Sequence, residues 1–142
     1  MNSFYNEILT EHHLRPNHRG DLPLSNLVRR GVNPSCGDDL TLRLKMENGV
    51  ITDGAFTGDG CAISRASADM MLDLVIGKTR EEALALSETF HNMILGRAEE
   101  GDEEMLEEAA CLRDISHMPS RVKCAMLSWR TLNEALKEEG AE

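Results

Sequence analysis

Leu40-Thr41-Leu42-Arg43-Leu44-Lys45-Met46-Glu47-Asn48-Gly49-Val50-Ile51-Thr52-Asp53-Gly54-Ala55-Phe56 is the stretch whose reading decides the fold. Leu40, Leu42, Leu44 and Met46 alternate with Thr41, Arg43, Lys45 and Glu47, the period-two pattern of a strand with one face on a core. Asn48-Gly49 is the two-residue signal for a tight hairpin turn, and Val50 to Phe56 is the returning strand. Beyond Gly58-Asp59-Gly60 the apolar period lengthens to about 3.6 residues. Ile63, Ala66, Met70 and Leu74 then share one helical stripe, which stops at Gly77.

Upstream of the hairpin, Ser3 to Leu14 reads as a helix with Ser3 as its cap and Glu7 and Glu11 on its solvent side. Arg15-Pro16-Asn17-His18-Arg19-Gly20 breaks that pattern, and Leu22 to Val32 reads as a loop or a weak edge strand. Downstream, Thr79 with Glu82 forms a capping box that opens a helix ending near Gly96. Segment 98–108 holds seven carboxylates and reads as a solvated loop and helix face. A final helix from Ser120 to Lys137 carries Val122, Met126, Trp129, Asn133 and Leu136 at its period. With strands early, helices late and no repeat or linker, the expectation is one α+β domain over residues 1–142.

The 142 residues suffice for a hydrophobic core without disulfide staples. Aromatics are only 4%, so that core must be built from Leu, Ile, Val, Met and Ala, with eight Met filling irregular gaps. The formal charge of −10 repels phosphate backbones and anionic membrane faces, which argues against nucleic acid and membrane partners. Met1 to Leu14 lacks the apolar segment of a signal peptide, and no apolar run is long enough to span a bilayer. A cytoplasmic, reducing setting is the expectation. Cysteines there are metal ligands, reactive thiols or buried fillers rather than a disulfide framework.

Four cysteines stand 25, 50 and 13 residues apart, with no CxxC pair. Cys36 lies in Asn33-Pro34-Ser35-Cys36-Gly37-Asp38, where Pro and Gly hold a turn that can present the thiol, and the Asp38 carboxylate is near enough to share a metal. A turn at a strand's start, with a cysteine that merely packs, explains the same hexapeptide. Cys61, in Gly58-Asp59-Gly60-Cys61-Ala62, falls at the first turn of a helix, where free N–H groups and the dipole favour thiolate. The competing reading is a small buried residue at a tight junction. Cys124 follows Arg121 and Lys123, whose charges would lower its pKa, and it lies roughly 200° from Val122 on a helical wheel, off the main apolar stripe. That placement favours a ligand or nucleophile over a core filler.

Cys111, inside the helix-like run Glu103 to Leu112, reads as a half-buried structural thiol. His12, His13, His18 and His91 read as surface or packing residues, and His117 alone stands as a candidate extra ligand. Three thiolates and a carboxylate make a four-coordinate set acceptable to Zn²⁺, and the same set could hold a [2Fe–2S] cluster or iron, although clusters usually take four thiolates.

In four blocks the sequence resembles the U-type iron–sulfur cluster assembly family (IscU and the NifU N-terminal region), and within it the SufU-type branch. The blocks are Tyr5 to Gly20 with its Arg15-Pro16 break; Asn33 to Asp38; Gly58-Asp59-Gly60-Cys61-Ala62-Ile63-Ser64 with Ala66-Ser67; and Arg121-Val122-Lys123-Cys124-Ala125 with Trp129. The resemblance implies a three-stranded antiparallel sheet covered by helices, with Cys36, Asp38, Cys61 and Cys124 as metal ligands gathered at one end. Scaffold-type members carry a His directly before the last cysteine and a Leu-Pro-Pro-Val-Lys chaperone motif. Here those places hold Lys123 and His117-Met118-Pro119-Ser120-Arg121, and the interval from Cys61 to Cys124 is longer, as in the SufU-type branch. That branch implies zinc, a PLP-dependent SufS-type cysteine desulfurase as partner, Cys36 as persulfide acceptor released when a partner histidine takes its place on zinc, and a SufB/SufC/SufD-type complex downstream. Three functions follow: a zinc-dependent sulfurtransferase, a [2Fe–2S] scaffold, or a zinc-stabilised binding module without catalysis.

Overall fold

The computed structural model describes residues 3–140, with side chains from 7 to 138. The hairpin forms where the alternation places it. Strands β2 (Asp38–Glu47) and β3 (Val50–Asp59) pair antiparallel, with Leu40, Leu42, Leu44 and Met46 all buried. Asn48 (φ 52°) and Gly49 (φ 78°) both take the left-handed backbone that a primed hairpin turn demands. A register shift between Lys45 and Met46 marks a bulge near the turn.

The segment before the hairpin is more ordered than its sequence suggests. Leu27–Asn33 forms β1, an edge strand antiparallel to β2, giving the sheet order β1-β2-β3. Its approach is fixed by side-chain and backbone bonds that imitate a ladder. The Asn26 amide donates to Met46 O (2.8 Å) and accepts from Met46 N (2.8 Å); at the opposite edge of the sheet, residues 18–20 run along β3, where Phe56 N–H donates to His18 O and Gly20 N–H to Phe56 O. At Gly31 the last helix lies directly on β1: a Cβ there would run into the Thr131 hydroxyl.

Helices cover one face of this sheet. They are α1 (Ser3–Leu14), α2 (Ala62–Val75), α3 (Arg80–Ile94), α4 (Asp102–Leu106) and α5 (Pro119–Gly140), with a 3₁₀ helix over Glu107–His117. The expected cap at Ser3 lies outside the described side chains. The Thr79–Glu82 capping box is present in both directions, the Thr79 Oγ1 accepting from Glu82 N (3.1 Å) and Glu82 Oε1 accepting from Thr79 N (3.0 Å). Phe90 stacks on Trp129 with ring centroids 4.5 Å apart, joining α3 to α5 in the core. The architecture is α+β: a three-stranded antiparallel sheet with five helices.

Two expectations need correction. The run Glu103 to Leu112 is not one helix: Glu107 adopts φ 51°, which ends α4, and the chain continues as a 3₁₀ helix that buries Ala109, Ala110, Cys111 and Leu112. The apolar stripe of α5 is also displaced. Cys124, Ala125, Ser128, Trp129, Leu132 and Leu136 are buried, whereas Val122, Met126 and Asn133 are only half-buried. Helix α5 packs on β1, α2 and α3 at once, so its buried arc is wide and not centred on the predicted stripe.

Candidate metal centre

Three loops and helix ends converge at one end of the sheet. Asn33 closes β1, and the turn Pro34–Gly37 (Gly37 φ 73°) carries Cys36 outward before Asp38 opens β2. Cys36 is exposed; Asp38, two residues on, is completely buried. Cys61 is the N-cap of α2, its Sγ accepting from Ser64 N at 3.4 Å. Cys124 lies early in α5 and is buried, with its thiol 3.4 Å from the Cys36 sulfur.

The Asp38 carboxylate organises this cluster. Its Oδ1 accepts from the Cys61 backbone N–H (2.9 Å) and the Ser64 hydroxyl (3.2 Å), and its Oδ2 accepts from the Asn33 amide (3.3 Å). The Asn33 amide also points at Cys124 Sγ, at 4.0 Å. Every hydrogen bond described for Asp38 thus comes from a neutral donor. Gly60 leaves room for the arrangement, since a Cβ there would collide with Ser64 Oγ and press on Asp38.

Donor atoms of Cys36, Asp38 and Cys124 lie within 4.8 Å of one another. Cys61 flanks this trio: it bonds Asp38 through its backbone, and its thiol interacts with that of Cys124. His117, the candidate extra ligand, is exposed and outside the trio.

The expected lowering of the Cys124 pKa by Arg121 and Lys123 does not occur. Burial, then contact with the Cys36 and Cys61 thiols and the nearby Asp38 charge, holds this thiol far above the ordinary range. Arg121 and Lys123 are exposed, so water screens their charge from a sulfur on the buried side of α5. The wheel argument that set Cys124 off the apolar face fails for the same reason. Thiols gathered beside a buried carboxylate are the sulfur and oxygen donors that Zn²⁺ takes, and in this respect the residues fit Zn²⁺.

Residues 4–125 match the family model of the NifU-like N terminal domain. The chain belongs to this family. It is 42% identical over 137 residues to the iron–sulfur cluster assembly scaffold protein IscU of Streptococcus pyogenes, covering 96% of this chain and 85% of that protein. It is 38% identical over 141 residues to the zinc-dependent sulfurtransferase SufU of Bacillus subtilis, covering 99% and 95%. The crystal structure of a candidate iron–sulfur cluster assembly scaffold protein for the SUF system, from Fervidobacterium islandicum, superposes with a TM-score of 0.83 at 37% identity, covering 96% of each chain. The chain is a SufU-like member of the U-type iron–sulfur cluster assembly family.

This NifU-like domain also contains a second cluster, built on His12 and His18, which the sequence offered as surface or packing residues. His12 is a buried packing residue, and its Nδ1 lies 2.6 Å from Asp69 Oδ2 while its Nε2 lies 2.9 Å from Glu108 Oε1. The hydrogen bond to Asp69, helped by Glu108 and opposed by burial, raises the His12 pKa to about 9. His18 donates its backbone N–H to Asp69 Oδ1 (2.9 Å), and its ring Nε2 pairs with Asp73 Oδ1 (2.6 Å). Glu108 is exposed, as the solvated acidic segment predicts, and it also reaches in to His12. One signal was available: His12 falls one helical turn after buried Ile8. Asn33 and Ser64 sat inside the recognised motifs, but nothing local marks them as partners of Asp38.

Proposed function

We propose that the chain is a sulfur carrier for iron–sulfur cluster assembly, taking persulfide sulfur onto Cys36 from a SufS-type cysteine desulfurase, with Cys36, Asp38, Cys61 and Cys124 holding zinc. The observation that carries the reading is one exposed thiol, Cys36, placed 3.4 Å from a buried one and beside a buried carboxylate bonded only by neutral groups. An acceptor must meet its partner at the surface, whereas the groups that hold a metal gain from burial. Lys123 supports the same reading, because it stands where scaffold-type members carry a histidine.

In the transfer, the Cys36 thiolate attacks the terminal sulfur of the desulfurase's cysteine persulfide. A new S–S bond forms on Cys36, the old one breaks, and the desulfurase cysteine leaves as thiolate. Zinc, when bound, would keep these thiols deprotonated near neutral pH. Asp38 holds the Cys61 turn through its backbone N–H, Asn33 supports Asp38 and Cys124, and the Pro34–Gly37 turn gives Cys36 its reach. The setting proposed is cytoplasmic, consistent with free thiols; no described helix is both long and apolar enough to cross a membrane. The acceptor downstream would be a SufB/SufC/SufD-type complex.

The test is mass-spectrometric mapping of persulfide after incubation with a cysteine desulfurase and cysteine. Cys36 should carry the added sulfur, Cys36→Ala should carry none, and Cys111→Ala should match the parent. Full sulfur uptake by Cys36→Ala would overturn the assignment. A second reading, a [2Fe–2S] scaffold, is favoured by the IscU relative at 42% identity. Anaerobic reconstitution with iron and sulfide separates the two, since only a scaffold yields a stable coloured cluster that passes to an apo-protein.

A further inference from the structure

Two sulfurs of the thiol cluster meet across most of the chain. The Cys36 and Cys124 thiols, 88 residues apart in sequence, lie 3.4 Å from each other, and both stand 4.0 Å from Ser120 O at the first turn of α5. We infer that, in metal-free protein, a hydroperoxide joins Cys36 to Cys124 in a reversible disulfide that excludes zinc and closes the sulfur acceptor. The bond follows from the geometry of the pair; its effect on sulfur uptake rests on the sulfur-carrier reading above.

The two thiols are unequal in a way that orders the chemistry. Cys36 is exposed, so an oxidant arriving from solvent meets it first, whereas Cys124 is only 2% exposed. The Cys36 sulfur attacks one peroxide oxygen, the O–O bond breaks, and water departs to leave a sulfenic acid on Cys36. The Cys124 sulfur then attacks the Cys36 sulfur, the S–O bond breaks, and a second water departs with the Cys124 proton as the S–S bond forms. Two thiols thereby lose two electrons and two protons, and the peroxide is reduced to two waters.

The backbone permits the last step. The sulfur–sulfur distance must shorten from 3.4 Å to about 2.05 Å. Pro34, Ser35, Cys36 and Gly37 are all exposed, so the turn that carries Cys36 can advance without displacing a core side chain. Cys61, the other thiol near Cys124, is engaged by α2, where its Sγ accepts from Ser64 N at 3.4 Å. Cys111 packs on Met70 in the core and takes no part. Once joined, neither Cys36 nor Cys124 can offer the thiolate that zinc needs, so the disulfide and the metal exclude each other.

The test exposes full-length protein, stripped of metal by a chelator or loaded with zinc, to hydrogen peroxide and maps its peptides by non-reducing mass spectrometry. Metal-free protein should yield a linked Cys36–Cys124 pair lighter by two hydrogens, lost in Cys36→Ser and undiminished in Cys111→Ala. Zinc-loaded protein should yield the link only as zinc is released, the two rising together when zinc is read with a colorimetric indicator. Offered a desulfurase already carrying persulfide and freed of cysteine, linked protein should take up no sulfur. Reduction with dithiothreitol, followed by its removal, should restore uptake. Sulfinic acid on Cys36 without a link, a Cys36–Cys61 link, chiefly intermolecular dimers, a link that leaves zinc bound, or full uptake by linked protein would each overturn the inference. If the link forms but reduced protein takes up no sulfur, the sulfur-carrier reading falls, and the clause on the acceptor with it, while the disulfide stands.

Discussion

Two aspartates, Asp38 and Asp69, are both completely buried, and their surroundings could hardly differ more. Asp69 faces the His12 imidazole at 2.6 Å and the His18 backbone N–H, so a cation built into the chain answers its charge. Asp38 accepts from an amide, a hydroxyl and a backbone N–H, and the Cys36 and Cys124 thiols lie close beside it. A buried carboxylate with a protein cation is a structural fastening; one ringed by neutral donors and thiols is a place for a cation from outside. Helix α2 serves both, starting at the Cys61 cap beside Asp38 and carrying Asp69 and Asp73 further along.

The largest effect should come from making the same change at both aspartates in metal-free protein. Asp69→Asn removes one partner of a buried ion pair and should cost about 3 to 5 kcal/mol in urea unfolding. Asp38→Asn removes a charge with no cationic partner and should cost no more than about 1 kcal/mol. Equal losses would erase the distinction between the two sites. With zinc present the order of importance should reverse for metal retention, which Asp38→Asn alone should impair.

A somewhat smaller effect is expected from pH. The His12 pKa is raised from its ordinary 6.5 to about 9, so the folded state holds this proton more tightly than the unfolded chain does. The resulting stabilisation, about 3 kcal/mol, is complete below about pH 6.5 and fades as pH climbs through about 9. Unfolding free energies of the parent and His12→Gln should therefore differ most near pH 6 and converge near pH 10. A gap that widens with alkalinity would contradict the fastening role.

Smallest of all should be the loss of Cys111, whose sulfur packs 3.9 Å from Met70 Sδ in the core. Burial pushes its thiol up to about 12, so it is neutral and unreactive at physiological pH. Cys111→Ala should cost about 1 kcal/mol of stability, and sulfur uptake should be unchanged. Alkylation at mild alkaline pH should label exposed Cys36 well before Cys111. If Cys111 reacted first, the reading of it as a core thiol would be wrong.

What the sequence determined by itself was whatever depends on neighbours in the chain. The β2–β3 hairpin follows from alternation and from two residues tolerant of φ > 0. The capping box at Thr79, the start of α2 at Cys61 and the exposed Cys36 turn follow from caps, glycines and a proline within a few residues. Only the tertiary structure decided how far α5 is covered, and therefore that Cys124 is buried with a raised pKa despite the basic residues before it. It also decided that His12 meets Asp69 and Glu108 across 57 and 96 residues, and that Asp38 meets only neutral donors. Helical and strand periods are local and appear in any window of the sequence. The side from which a helix is covered, and the charge that faces a buried group, are set by elements distant in the chain.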